Sequence, residues 1–266
     1  MATQRQDLDR YLIQSVDNAL NVLEFLSEFE QDVHVTRLSE RLGLNKMTVF
    51  RLLATFQRRG YVEQDQSTHR YRLGLSAFET SQKLLLRMNL LDKARPIMAQ
   101  LVRQHNEAIY FVVRSKSEVL FLDMLETTQQ VRAVSFIGQR FPLAVTAAGK
   151  LFLAMQALGS PLPTPGQSAD ESQQTAADER EAIRRSGYCF NQEGFAQGIA
   201  ALAAPIFDRH DGMIGALVFL GPDFRIGRER ALEELAPPLL NAARTVSSRL
   251  GSHRRSSFPR AAASCY

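Results

Sequence analysis

Residues 35–65 decide the fold of the first part of the chain and read VTRLSERLGLNKMTVFRLLATFQRRGYVEQD. Apolar residues recur there every three or four positions, which predicts a short helix capped by Thr36 and a longer helix over residues 46–59. Gly43 can adopt the left-handed conformation that ends the first helix, and Asn45 can cap the second. Two helices joined by such a short, glycine-containing turn are typical of a helix-turn-helix.

The sequence on either side extends the helix-turn-helix to a winged helix. Apolar residues at helical spacing predict an amphipathic helix over residues 15–29. After Gly60, residues 61–73 form two short strand-like runs around a polar turn at 66–68, which predicts a β-hairpin. We therefore expect a winged helix-turn-helix domain over residues 1–75.

Charge is unevenly distributed over this predicted domain. Residues 1–33 carry two basic and seven acidic groups, whereas residues 34–75 carry eight basic and three acidic groups. The net charge of the whole chain is only +4 at pH 7. The local basic excess predicts a surface that faces an anion, although a solvated surface would show the same balance.

The outward face of the 46–59 helix combines apolar and basic residues. At about 100° per residue the apolar core positions share one face, and the opposite face holds Met47, Phe50, Arg51, Ala54 and Arg58. An exposed Phe and Met cost solvation free energy unless an apolar group meets them, and thymine methyl groups in the major groove are such a group. Packing of both side chains on the hairpin or on a partner subunit is the alternative.

Residues near the start of this helix and in the hairpin turn complete the candidate DNA interface. Lys46 in the first turn opposes the helix dipole, and a nearby phosphate would reverse that penalty. Arg51 can contact a guanine edge or a phosphate, and Thr48 can bond a phosphate. The hairpin tip suits backbone or minor-groove contact, although an ordinary exposed turn has the same composition. The predicted DNA-contacting residues are Lys46, Met47, Thr48, Phe50, Arg51, Ala54, Arg58, Thr68, His69 and Arg70.

The rest of the chain is predicted to form a helical linker over residues 76–90, an α+β domain over 91–251 and a basic, flexible tail over 252–266. Strand-like runs joined by short turns, with helices around them, predict a largely antiparallel sheet, and the fold class is two-domain α/β. The expected strands cover residues 109–114, 119–126, 131–136, 199–207 and 213–220. The expected helices cover residues 91–105, 146–156, 178–186 and 227–250, with a polar loop at 159–176 and a break at Pro237 and Pro238.

Six stretches keep the order and spacing of a known family. They are residues 14–28 (QSVDNALNVLEFLSE), 35–65, 71–78 (YRLGLSAF), 137–154 (IGQRFPLAVTAAGKLFLA), 184–222 and 242–251 (AARTVSSRLG). The first three resemble the DNA-binding domain of the IclR-type bacterial transcription regulators. The last three resemble the effector-binding domain of the same family.

This resemblance implies a GAF-like effector-binding domain and a homodimer or dimer of dimers that binds a roughly palindromic operator in double-stranded DNA. It also implies a small organic acid or aromatic metabolite as the effector, and RNA polymerase as a candidate partner. Carried over by position, the family's effector cavity corresponds to Leu143, Thr146, Ala147, Ala148, Gly149, Asn191, Ile199, Ala201, Val218 and Leu220. Plain core packing would bury the same apolar residues.

Three of these positions depart from the family pattern. Asn191 stands where an acidic residue is common, and Val218 and Leu220 stand where small polar residues are frequent. A cavity with apolar walls stabilises apolar area better than it stabilises a small hydrated anion. We therefore expect a larger or aromatic effector rather than a two-carbon oxoacid.

Dimerisation is expected because one winged helix contacts too few base pairs for useful specificity. The helix over residues 15–29 and the linker over 76–89 are expected to form the interface. Leu84, Leu85 and Leu86 are expected to be partly buried there. The linker is also where effector binding would be transmitted to the DNA-binding domain.

The sequence shows no motif of an enzyme, a metal site or a membrane span. It has neither GxSxG nor HExxH, and the run AAGK at 147–150 lacks the earlier glycine and the following Ser or Thr of a P-loop. Cys189 and Cys265 form no CxxC motif, and no signal peptide is recognised. We expect a cytoplasmic repressor of a catabolic operon that needs no cofactor. An activator of the same class and a ligand-binding interaction module with little DNA binding are the alternatives.

Overall fold

The computed structural model describes residues 11–29, 31–88, 90–156, 171–192 and 196–252, with only the backbone described at 84–88 and 171–175. The chain divides into two compact units, Met1–Met88 and Asn89–Tyr266. The predicted linker helix is therefore part of the first unit. Three expectations lie outside what is described, namely the burial of Leu84, Leu85 and Leu86, most of the loop at 159–176, and nearly all of the basic tail.

The first unit is a winged helix, as the sequence predicts. Its elements are α1 (Gln14–Ser27), α2 (Val35–Leu42), α3 (Lys46–Arg58), β1 (Val62–Gln64), β2 (Tyr71–Leu73) and α4 (Leu75–Met88). The strands β1 and β2 pair antiparallel, with Val62 opposite Leu73. The core of this unit is formed by Val22, Phe25, Leu26, Val33, Leu38, Val49, Leu53, Val62 and Tyr71.

The turn between α2 and α3 forms as the sequence predicts. Gly43 has φ +65° and ends α2 in the left-handed conformation. Asn45 then begins α3, because its side-chain oxygen accepts the N–H of Thr48 at 2.8 Å. Both signals are local, so the helix-turn-helix can be recognised without knowledge of the tertiary contacts.

Thr36 does not cap α2, and that prediction is wrong. The helix begins at Val35, two residues earlier than expected, and the carbonyl of His34 accepts the N–H groups of Arg37 and Leu38. Val33 exchanges two backbone hydrogen bonds of 2.8 Å with Tyr71 of β2. This long-range bridge determines where the chain leaves the extended conformation, so Thr36 falls inside the first helical turn.

The second unit is an antiparallel sheet with helices on both faces. Its elements are α5 (Leu90–His105), β3 (Ile109–Ser115), β4 (Glu118–Leu125), β5 (Arg140–Pro142), α6 (Ala147–Met155), α7 (Glu171–Ser186), β6 (Cys189–Gln192), β7 (Ile199–Phe207), β8 (Met213–Pro222), α8 (Arg228–Arg230) and α9 (Ala236–Arg249). In this part of the chain six strands form one sheet in the order β5-β4-β3-β8-β7-β6. Every neighbouring pair is antiparallel, which confirms the predicted sheet.

The two faces of the sheet bury different residues of the same strands. One face packs against α5 and α9 and includes Leu202 and Phe219. The other face packs against α6 and α7 and includes Ala203 and Val218. Because side chains alternate along a strand, a strand buried on both faces is nearly continuously apolar, as β7 and β8 are. We call the α6- and α7-covered side the α6 face.

The strand predicted over residues 131–136 does not form. The edge strand is instead β5, in which Arg140 pairs with Leu120 of β4. Gly138 has φ +81° and its N–H donates to the carbonyl of Phe121, so the chain turns there before it pairs. The apolar residues of the 131–136 run include Phe136, which packs on the α6 face although it is not part of a paired strand. A short apolar run cannot distinguish these outcomes.

Two further elements differ from the prediction. Residues 171–176 are helical, because α7 begins at Glu171 rather than at 178. The Pro, Ser and Gln content of residues 159–176 predicts a loop, but residues 171–176 contain no Gly or Pro that would break a helix. The short strand β6 was also missed; it pairs with β7, placing Asn191 opposite Ala201.

The C-terminal helix is interrupted near its two prolines, as expected. α8 continues as a π-helix over Ala231–Leu235 before α9 begins. Pro237 and Pro238 lie in the first turn of α9 and supply no N–H to the carbonyls of the preceding π-helical turn, which agrees with the interruption there. The long predicted helix is thus a composite of three segments.

Candidate functional site

The outward face of α3 has the composition that its periodicity predicts. Val49 and Leu53 are fully buried, whereas Met47 and Phe50 are 68% and 52% exposed. Lys46, Arg51, Ala54 and Arg58 are also exposed, and Thr48 is half-buried beside its cap. The structure therefore brings all seven predicted residues of this helix to one accessible surface, which we call the α3 surface.

The α3 surface carries positive charge without an acidic counterpart on the helix. α3 contains Lys46, Arg51 and Arg58 and no Asp or Glu. In the described parts of the chain none of these three cations forms a salt bridge. Their side chains are therefore available to an external anion, and phosphate oxygens are suitable partners.

The wing turn is organised by one carboxylate. The Oδ1 atom of Asp65 accepts the N–H groups of Ser67 and Thr68 at 2.9 and 2.7 Å, and their hydroxyls at 2.6 and 2.9 Å. These hydrogen bonds, led by that of the Ser67 hydroxyl, hold the pKa of Asp65 well below its usual range. The turn thus keeps an ionised carboxylate, which DNA phosphates would repel.

The three predicted contacts of the wing differ in their availability. The Thr68 hydroxyl donates to Asp65, and Nε of Arg70 donates to Nε2 of His34 at 3.1 Å. Both groups would have to exchange partners to reach DNA. The side chain of His69 is exposed, and its backbone has φ +54°.

The ten residues predicted for the effector site lie together in the second unit. The α6 face buries Leu143, Ala147, Ala148, Ala201, Val218 and Leu220, with Ile199 packed against them. Thr146 and Gly149 form the start of α6, where the Thr146 Oγ1 accepts the Gly149 N–H at 2.9 Å. Asn191 donates from Nδ2 to the carbonyl of Val145 at 2.8 Å. Their proximity agrees with both a cavity wall and plain core packing.

Gly149 allows α6 to approach the preceding turn closely. A Cβ atom at this position would collide with the backbone of Leu143. The glycine therefore has a packing role in addition to any contact with a ligand. The AAGK run that contains it belongs to the start of a helix capped by Thr146.

An aromatic cluster on the α6 face was missed by the sequence analysis. Ring centroids lie 5.3 Å apart for Tyr110 and Phe121, 5.5 Å for Phe121 and Phe141, and 5.7 Å for Phe136 and Phe141. Burial raises the pKa of the Tyr110 hydroxyl to about 12, so it stays protonated. The alternation in β3 and β4 could have indicated Tyr110 and Phe121, but Phe136 and Phe141 depend on the turn at Gly138.

A buried ion cluster joins segments that are distant in the sequence. Glu107 is fully buried, and its carboxylate accepts hydrogen bonds of 2.7 Å from Arg225 Nε and Arg230 Nη1. Arg225 also donates from Nη1 to the carbonyl of Val131 at 2.8 Å. Because Glu107 and Arg225 are 118 positions apart, no local motif predicts this cluster. It connects the segment after β4 to the end of β8.

Reactive and metal-binding groups are scarce in what the structure describes. Cys189 is buried, and burial raises the pKa of its thiol to about 12. A thiol with that pKa is a poor nucleophile at neutral pH. Across the described ranges no three His, Cys, Asp or Glu side chains are grouped as metal ligands. None of the described helices is long and apolar enough to span a bilayer.

Comparison with known proteins shows matches along most of the chain. The family model for the IclR helix-turn-helix domain matches residues 15–66, and the model for the C-terminal domain of the bacterial transcriptional regulator IclR matches residues 82–248. The HTH-type transcriptional regulator KdgR of Escherichia coli is 30% identical over 257 residues, which cover 93% of this chain and 97% of the relative. The acetate operon repressor of Salmonella typhimurium is 30% identical, with coverage of 91% and 92%.

A solved structure shows the same fold. An IclR homologue from Microbacterium hydrocarbonoxydans, in complex with 4-hydroxybenzoate, aligns with a TM-score of 0.75 at 21% identity. The alignment covers 89% of this chain and 98% of the homologue. The agreement therefore extends over both units.

Proposed function

Because the chain belongs to the IclR family of bacterial transcriptional regulators, we propose that it represses a catabolic operon and that a small aromatic acid changes its affinity for the operator. Family membership makes it a DNA-binding transcriptional regulator. The name of the acetate operon repressor, a relative at 30% identity, supports the repressor role. Its place of action is the cytoplasm, where the operator lies.

The α3 surface is the observation that carries the DNA-binding part of the proposal. A helix that follows a tight turn can enter the major groove, which is wide enough to admit one. Lys46, Arg51 and Arg58 supply the cations for phosphates and base edges, while Met47, Phe50 and Ala54 supply an apolar strip. The proposed interface consists of the predicted residues Lys46, Met47, Thr48, Phe50, Arg51, Ala54 and Arg58, with Thr68, His69 and Arg70 of the wing.

The effector class is supported by two independent observations. The structural homologue binds 4-hydroxybenzoate, a small aromatic acid. In this chain the α6 face buries apolar residues with an aromatic cluster beside them, and aromatic rings pack favourably on one another. First-turn N–H groups of α6 are suited to a carboxylate. We assign the effector site to Leu143, Thr146, Ala147, Ala148, Gly149, Asn191, Ile199, Ala201, Val218 and Leu220.

A second copy of the chain is the proposed partner of α1. Ile13, Val16 and Leu20 are more than half exposed and follow one another at helical spacing on the side opposite the buried Val22. Pairing of two such faces would remove apolar area from water and would present two copies of α3 to the two halves of an operator.

Titration of DNA tests this proposal directly. A duplex from the region upstream of the gene is titrated with the full chain in a gel-shift assay at several salt concentrations. Specific binding should exceed binding to a scrambled duplex by about 10³-fold or more, and the logarithm of the affinity should fall steeply with the logarithm of the salt concentration. Deletion of the gene should raise transcription from that promoter. Equal affinity for both duplexes, or a fall in transcription, would contradict the proposal.

A further inference from the structure

The α3 surface exposes two large apolar side chains that its own unit leaves uncovered. Phe50 is 52% exposed and Met47 is 68% exposed, although other aromatic residues of the same unit, such as Phe25 and Phe56, pack on its core. Phe50 follows Met47 by three positions, so both side chains lie along one side of the helix. Ala54 continues this side with a side chain too small to obstruct it.

Neither side chain is part of the apolar core that α3 shares with the wing. The core of the first unit includes Val62 and Tyr71 from the wing strands, together with Leu52 and Phe56 from α3, and neither Phe50 nor Met47 belongs to it. The described residues of the first unit therefore leave both side chains available to an apolar partner from another molecule.

The surrounding charges favour DNA over a second copy of the chain as that molecule. Lys46, Arg51 and Arg58 flank the apolar strip, and α3 holds no acidic residue. A symmetric contact of this face with itself would bring the same cations together, which is unfavourable. The DNA major groove has the opposite charge along its walls and exposes one apolar group, the C5-methyl of thymine, on its floor.

We propose that Phe50 and Met47 recognise thymine methyl groups, so that each operator half-site places neighbouring thymines against the N-terminal half of α3. This inference rests on the proposed DNA-binding function and adds the class of bases that the helix selects. Arg51 follows Phe50 in the sequence and lies on the other side of Met47 around the helix, so its guanidinium reaches a guanine or a phosphate beside these thymines.

Deoxyuridine provides a sharp test because it differs from thymidine only by the methyl group. The full chain first selects duplexes from a random DNA library. In the selected duplex each thymine is then replaced singly by deoxyuridine, and Kd is measured by fluorescence anisotropy. Loss of one buried methyl group should raise Kd about fourfold at each contacted thymine, with no change at the others.

Two variants and a control assign the effect to named side chains. Phe50→Ala and Met47→Ala should each abolish the deoxyuridine penalty at their own thymines and leave it at the remaining ones. Phe224→Ala removes another exposed phenylalanine, 74% exposed in the second unit, and should keep the full penalty. Circular dichroism and binding to a non-specific duplex verify that each variant is folded.

The outcomes separate this inference from the function on which it rests. Selection that enriches no sequence would overturn the DNA-binding proposal itself. Enriched duplexes whose Kd does not respond to deoxyuridine would overturn only the methyl recognition. A penalty that persists unchanged in both variants, or a change of oligomeric state in Phe50→Ala, would show that these side chains have another partner. Site-specific loss of the penalty would establish the contact.

Discussion

Substitution of Arg51, an exposed cation of α3, tests the proposed contact with DNA most directly. It lies one helical turn from Met47 on the proposed interface. Arg51→Ala is expected to weaken operator binding by about 10- to 100-fold, because a bidentate arginine–base contact contributes roughly 1–3 kcal/mol. Fluorescence anisotropy measures the affinity for DNA, and calorimetry with 4-hydroxybenzoate should show unchanged effector binding.

A matched arginine distinguishes this contact from a general effect of charge. Arg103 is exposed on α5 in the second unit, so Arg103→Ala removes the same charge at a position outside the predicted DNA-contacting residues. Its operator affinity should remain within about twofold of that of the unsubstituted chain, because a single exposed charge that makes no direct contact is largely screened by salt. Loss of both DNA and effector binding in Arg51→Ala would mean that Arg51 supports the fold instead.

Asp65 makes the stability of the wing dependent on pH. Its hydrogen bonds lower its pKa in the folded protein. The resulting stabilisation is complete above the ordinary carboxyl pKa of roughly 3.9 and is lost as the pH falls through the lowered value. Asp65→Asn should therefore lower the unfolding midpoint at pH 7, and the difference from the unsubstituted chain should shrink below about pH 4. Thermal unfolding between pH 7 and pH 3 measures it.

A second carboxylate serves as the control for this pH dependence. Asp92 is exposed on α5, so Asp92→Asn removes one carboxylate elsewhere on the surface. The corresponding difference for Asp92→Asn should show no comparable loss at low pH. A difference for Asp65→Asn that stays constant from pH 7 to pH 3 would contradict the assigned role of the wing carboxylate.

At the scale of elements, prediction from the sequence succeeded where the signals were local. The sequence predicts α3 over residues 46–59, and the helix is found over Lys46–Arg58. Its start is predictable because Gly43 and Asn45, which end α2 and cap α3, lie within the three residues before Lys46. Prediction failed over 131–142, where the position of the edge strand depends on a turn at Gly138 and on Phe136 packing across the sheet. Such contacts are set by tertiary structure, which periodicity does not contain.

One substitution can test the close contact between α6 and the turn that precedes it. Gly149→Ala should destabilise the second unit by roughly 1–3 kcal/mol, because the added Cβ collides with the backbone of Leu143 and the overpacking cannot be relieved by a rotamer change. Urea unfolding measures the loss. Gly212→Ala is the control, since a Cβ there would make only ordinary contact with Asp208. Equal stability of both variants would contradict the tight approach of α6.

At the scale of the molecule, the two candidate sites differ in how far the sequence reveals them. The α3 surface follows from the period of one helix, so its exposed residues could be named in advance. The effector site was placed by family resemblance, and the residues beside it were missed because Tyr110, Phe136 and Phe141 come together only in the folded sheet. The Glu107–Arg225–Arg230 cluster depends on the same long-range folding.

The proposed regulation requires that the effector bind more tightly to one arrangement of the protein than to another. An effector with equal affinity for both arrangements would leave operator binding unchanged, however tightly it bound. Typical coupling free energies of about 1–3 kcal/mol correspond to changes of roughly 5- to 150-fold in operator affinity. Operator DNA must change the affinity for the effector by the same factor. Calorimetric titration of the effector with and without DNA therefore gives a second measurement of the coupling.

The apolar face of α1 provides the last test, because it decides whether two copies of the chain bind one operator. Leu20→Glu places a charge in the centre of that face and should reduce the molar mass in light scattering to that of the 29.9 kDa chain. Operator affinity should fall by roughly 100-fold or more, since the second half-site no longer binds at high effective concentration. Gln104→Glu adds the same charge at an exposed position of α5 in the second unit and should leave both properties unchanged. A Leu20→Glu protein that remains dimeric, or a monomer with full operator affinity, would show that α1 does not form the dimer interface. Pairing through α1 predicts that dimerisation and high operator affinity are lost together.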